Sequence, residues 1–213
     1  MTPRPPAFSA ANARARWPAP FPGLLPFQEV DAELYFGRGE TIDELLRRLE
    51  RNRFLVVVGP SGSGKSSLIQ AGLVPAIGAG FLSHAGARWW QVHMRVDESP
   101  LRELADAVWR ARHTARGGGE AEEATREADL QFLEATLRAS DLGLVRALLD
   151  QGLPADAEVL VWVEHGDELV RRRSEASPSV AVTRGDAQTL VDLLLAAARQ
   201  SQRRIHVVLT MRA

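Results

Sequence analysis

The stretch that most limits what this chain can become is "RFLVVVGPSGSGKSSLIQAGLV", Arg53 to Val74. A run of β-branched residues is halted by a glycine-rich turn, and an apolar helical pattern begins straight after it. Gly59, Gly64, Lys65 and Ser66 stand at the spacing G-x-x-x-x-G-K-S. In that spacing backbone amides turn inward to cradle phosphate, and the following helix adds its positive N-terminal end. Lys65 reaches the β- and γ-phosphates and the Ser66 hydroxyl takes Mg²⁺. The candidate nucleotide-binding residues of this turn are Gly59, Ser61, Gly62, Ser63, Gly64, Lys65, Ser66 and Ser67.

Lys65 has a second distinction. It is the single lysine of 213 residues, in a chain whose other strongly basic side chains are all arginine. A lone lysine in that background marks a position where a planar guanidinium cannot replace a compact ammonium.

The bulk numbers bound the class. At 45% hydrophobic and 25% charged residues the chain is an ordinary globular sequence, long enough for one α/β domain. No apolar run approaches the roughly 18 residues of a membrane span, and no secretory h-region opens the chain. The absence of cysteine excludes disulfides and thiolate metal sites, and a cytoplasmic location is expected. A net charge of −1 gives no electrostatic reason to bind nucleic acid or an anionic membrane.

Along the chain, residues 1–21 are rich in Pro, Ala and Arg and read as a flexible tail, with one domain over 22–213. "ETIDELLRRLERN" carries a helical apolar stripe. Strands are expected at Phe54–Val58, Arg88–Val96, Glu158–Val163 and Ile205–Thr210. Helices are expected after the phosphate turn, with Pro75 disturbing or ending that one, and over "SPLRELADAVWRARH", Leu130–Arg138, Asp141–Gln151 and "AQTLVDLLLAAARQSQ". "TARGGGEAEEATREA" and "RRRSEASPSVAVTRGD" read as loops. Strands alternating with helices give an α/β fold, a doubly wound and mainly parallel sheet with helices on both faces.

Five stretches taken together resemble the STAND class of P-loop NTPases, in the branch called novel STAND NTPases of bacteria. They are "PGLLPFQEVDAELYFGR", "RFLVVVGPSGSGKSSLIQAGLVPAI", "SDLGLVRALL", "VLVWVEHGDELV" and "HVVLTMRA". The resemblance covers nearly everything from Pro22 onward. It implies a P-loop NTPase fold that binds ATP or ADP with Mg²⁺. It also implies a switch coupled to sensor and effector parts outside this chain, in antiviral defence, signal transduction or regulated cell death. By position it places Phe36, Gly37 and Arg38 beside the adenine and ribose, and Arg212 at a sensor position near the γ-phosphate. A fifth strand flanking the phosphate-loop strand is not found before Ala213, so the expectation is a truncated domain, or one that completes its sheet as a homo-oligomer.

The acidic strand departs from the family pattern, which has aspartate where this chain has Glu164, followed by an acidic pair retained here as Asp167 and Glu168. Mg²⁺ demands near-octahedral geometry at short distances, so one added methylene matters. Either Asp167 or Glu168 is placed to activate water. Gly166 reads as loosening the loop that carries both acids, and His165 as a polar cap or a core hydrogen bonder rather than a catalyst. The expected activity is ATP binding with slow or absent hydrolysis, a weak ATPase. A non-hydrolysing nucleotide-binding scaffold for protein–protein contacts is the competing reading, and a small-substrate kinase ranks last because no lid arginine cluster is evident. The Arg171–Arg173 run reads as a solvated loop, and Trp89, Trp90 and Trp109 as aromatic packing.

Overall fold

Three runs rich in β-branched residues and one run alternating polar with apolar become four strands: β1 (Phe54–Gly59), β2 (Arg88–Arg95, the alternating run), β3 (Ala157–Glu164) and β4 (Ile205–Arg212). Each lies within two residues of its expected place. The computed structural model describes residues 23, 25–82, 88–116, 120–154, 156–174, 180–201 and 204–213; the expected tail over 1–21 lies outside them. Strand order is β1-β4-β3-β2, and every pairing is parallel. Parallel neighbours cannot be joined by hairpins, so each connection crosses a face of the sheet through helix.

Those helices cover both faces. On one, α1 (Gly39–Asn52) buries Leu45, Leu46 and Leu49 beside α2, which runs from the phosphate turn. That helix starts as Lys65–Ser67, widens to a π-helix over Leu68–Leu73 and ends as Val74–Gly78. Together they cover Leu55, Leu160, Trp162 and Val208. On the other face lie α3 (Pro100–Arg116), α4 (Glu120–Ala139), α5 (Gly143–Asp150), α6 (Asp167–Ser174) and α7 (Val180–Arg199). Their apolar stripes pack on Val92, Met94, Val159, Val161, Val163 and Val207, all essentially buried. β3 and β4 sit centrally and are buried on both faces, mostly by apolar side chains, as inner strands of a parallel sheet are. β1 is an edge strand, and its Val56 and Val58 are 46% and 59% exposed.

Two local expectations change, and one resolves between its alternatives. The charged stretch after Arg116 is not a loop beyond 117–119, which lie outside the described residues: α4 starts at Glu120. Its Leu130, Leu133 and Leu137 join the core, and its charges pair with α3 through Arg126 to Asp106 (2.6 Å) and Glu127 to Arg102. The helix expected over Leu130–Arg138 supplies this buried stripe, and it extends back to Glu120 through a stretch whose local composition argues against helix. Likewise "RRRSEASPSVAVTRGD" is helical at both ends, in α6 and α7, while 175–179 lie outside the described residues. Of the two outcomes expected at Pro75, the helix is disturbed and not ended: a wide π stretch precedes the proline and leaves room for a ring without an N–H.

At the end of the sheet opposite the phosphate turn, His206 and Glu158 are both buried, with Nε2 and Oε2 3.3 Å apart. Arg204 donates to the other carboxylate oxygen (3.1 Å), and the Trp89 ring lies 5.3 Å from the imidazole. Burial pushes the His206 pKa below its ordinary 6.5 and, helped by Arg53, outweighs the opposing pull of Glu158. As pH falls through about 6.5 the unfolded chain takes up a proton here that the folded chain refuses, so stability is lost. We predict that the unfolding midpoint of the wild type falls more between pH 7.5 and pH 5.5 than that of His206→Gln. Parallel pH profiles for the two proteins would refute this.

Candidate functional site

The C-terminal edge of the sheet gathers the candidate residues. The phosphate turn leaves β1 at Gly59 and re-enters helix at Lys65. Gly62 (φ 75°) and Gly64 (φ 81°) take the left-handed conformation that folds successive amides inward, a backbone that β-carbons disfavour. Lys65 Nζ donates to the carbonyls of Gly59 and Pro60, both at 2.8 Å. The ammonium is thus folded over the turn it would share with a phosphate.

Glu164, the last residue of β3, brings its carboxylate to the Ser66 hydroxyl, which donates to it. The extra methylene therefore does not separate the acidic strand from the serine of the turn. His93 Nε2 makes the second contact on Glu164, 3.3 Å from Oε2. Burial opposes ionisation of Glu164, but the hydrogen bonds of His93 and Ser66, with the charges of His93 and His165, hold its pKa below the ordinary carboxylate value. No cluster of three or more His, Asp or Glu side chains suited to a metal occurs among the described residues. Mg²⁺ at a nucleotide site needs none, since phosphate and water supply most of its ligands. One hydroxyl and one ionised carboxylate in contact are oxygen donors of the type that ion requires.

The acidic pair opens α6, and both members are engaged by arginine. Asp167 Oδ1 accepts from the backbone N–H of Arg212 (3.1 Å), and the Arg212 guanidinium stands farther off, with Nε 3.8 Å from Oδ2. Glu168 Oε2 accepts from Arg171 Nε at 2.9 Å. Arg212 also pairs in register with Gly59 across β1 and β4, so the sensor candidate borders the phosphate turn.

Residues 20–213 match the family described as Novel STAND NTPase 1. The chain belongs to that family. No curated protein and no solved structure matches it. Family membership carries nucleotide binding as a general property, and among the described residues of this STAND NTPase no helix is long and apolar enough to cross a membrane.

Before α1 of the STAND domain, the FGR step sits on a segment clipped to α2. Phe27 N–H donates to Ser67 Oγ (3.1 Å), and the Phe27 ring lies 5.7 Å from Tyr35. Ser67 is buried there, its hydroxyl turned to that segment. Phe36 is 76% exposed, so core packing does not account for it. Gly37 is left-handed (φ 79°) and Arg38 stands just ahead of α1.

Gly166 does the reverse of loosening the acidic loop. Its N–H donates to Thr210 O (2.8 Å), it is buried, and an added Cβ would lie 2.7 Å from Leu209 Cγ and Cδ1. The missing side chain lets the loop press onto β4. We predict that Gly166→Ala lowers unfolding free energy by about 1–3 kcal/mol, the usual cost of overpacking. An unchanged denaturant midpoint would count against that close approach. His165, at φ 60°, takes the Arg95 guanidinium on its Nε2 at 3.0 Å, a polar cap on the strand end.

Sequence reasoning missed His93, Arg95 and Trp162 as site neighbours. The alternation of β2 puts His93 and Arg95 on one face, which was legible. That β2 lies beside β3, opposing Arg95 to Glu164 and His93 to Trp162, was not.

Proposed function

We propose that this STAND NTPase domain binds ATP with Mg²⁺ and acts as a slow nucleotide-dependent switch in bacterial defence or signalling, a cytoplasmic role. One observation carries the reading: Glu164 meets Ser66, while Asp167 and Glu168 are both held by arginine. The first contact supports an assembled Mg²⁺ side of the site. The second supports slow hydrolysis, because a carboxylate that already accepts a hydrogen bond, from the Arg212 backbone amide or the Arg171 guanidinium, orients water less well. Lys65 and the turn amides would hold the phosphates, and Phe36, Gly37 and Arg38 would take the base and ribose. Mg²⁺ would supply neutralisation of phosphate charge. Sensor and effector parts outside this chain would read the bound state, and the exposed edge of β1 supports assembly with a second copy or a further domain.

The test is a titration of the wild type with ATP, ADP and GTP in Mg²⁺, alongside phosphate release. ATP is expected to bind tightly, with turnover below about 0.1 s⁻¹ against the roughly 1–10³ s⁻¹ of typical enzymes. Turnover in that ordinary range would replace the switch by a simple ATPase, and absence of any nucleotide binding would leave a scaffold.

A further inference from the structure

The Ser66–Glu164 contact depends on a long side chain. A glutamate has one more rotor than an aspartate, and ordering it costs conformational entropy. Something must hold the carboxylate in place, and the wall of the site away from the phosphate turn supplies it. His93 stacks flat on Trp162, centroids 3.9 Å apart and planes 8° from parallel. The two residues are cross-strand partners in the β2–β3 register, and the Trp162 side is buried. The stack fixes the plane of the imidazole, and that plane carries Nε2 to 3.3 Å from Glu164 Oε2. Arg110 Nη2 donates to the His93 carbonyl (3.2 Å), tying the same residue to α3. Exposure falls from 38% at the His93 side chain to 13% at Glu164, so the histidine stands where water would otherwise reach the carboxylate.

We propose that His93 is a positioning residue for the Mg²⁺ side of the nucleotide site: held by Trp162, it sets the Glu164 carboxylate against Ser66 and so makes glutamate serviceable at this position. The proposal rests on the nucleotide–Mg²⁺ reading given above. Partners that orient a metal-side ligand typically matter by about 10- to 100-fold in metal affinity.

The experiment uses a fluorescent ATP analogue, with affinity measured in Mg²⁺ and in EDTA for the wild type and two variants. His93→Phe keeps a ring on Trp162 and removes the hydrogen bond, whereas His93→Gln returns a donor near the Nε2 position. His93→Phe should lose about 10-fold of the tightening produced by Mg²⁺, with its affinity in EDTA unchanged and its unfolding midpoint near the wild type. His93→Gln should recover most of the loss. In a Glu164→Ala background the His93→Phe effect should vanish, since the two act as a unit. A wild-type Mg²⁺ increment in His93→Phe overturns the inference alone, as does an equal loss in EDTA or a loss that persists without Glu164. A wild type that binds no analogue in either condition overturns the nucleotide reading and the inference with it.

Discussion

Lys65→Ala is expected to reduce ATP affinity by about 10²- to 10⁴-fold, measured by calorimetry or a fluorescent analogue. Two charge-assisted contacts to phosphate, at about 1.5–3 kcal/mol each, set that range at about 1.4 kcal/mol per tenfold. What Lys65 contacts in the free chain is minor by comparison: two carbonyls of its own turn, Gly59 and Pro60. The fold should therefore survive the change, with a thermal midpoint close to the wild type. Lys65→Arg is the sharper control. In a chain that uses arginine at every other strongly basic position, an arginine here should fail almost as badly as alanine, because the planar group does not fit a compact cradle. Near-normal binding by Lys65→Arg would show that the lone lysine has no special duty.

The second large effect is expected at Glu164. Glu164→Asp should raise single-turnover phosphate release by about 10- to 100-fold, since misplacement by about 1 Å at a reacting centre can cost 10²-fold. The longer side chain places its carboxylate directly between Ser66 and His93, where Mg²⁺ would have to keep its water shell. Shortening it by a methylene withdraws the carboxylate from His93 and leaves room for a bridging water. Binding in EDTA should not change, because the substitution lies on the metal side. If Glu164→Asp releases phosphate no faster than the wild type, Glu164 is not what slows the site. The brake would then lie with the arginines on Asp167 and Glu168.

The sequence by itself determined the parts that short-range chemistry dictates. The phosphate turn is legible because its glycines, lysine and serine act within one turn, between a strand and a helix that neighbour it. β3 and β4 are legible because apolar runs buried on both faces have few other places to go, β1 because its β-branched run leads into the phosphate turn, and β2 because it alternates polar with apolar. Lys65 stands out on composition alone. Only the tertiary structure decided what depends on segments meeting from far apart. His93 reaches Glu164 across 71 residues, and Phe27 reaches Ser67 across 40. Both meetings follow from strand order and helix docking, which no local pattern encodes. The same holds for the start of α4 and the end of α6, whose charged segments look like loop but continue helices anchored by buried leucines, Leu133 and Leu137 on α4 and Leu169 on α6. Gly166 makes the point at a single residue. In the sequence a glycine among acids signals freedom, yet Leu209 from the last strand fills the space its side chain would need. What reads as a loose joint is a tight one, because close packing is settled by the neighbour and not by the residue.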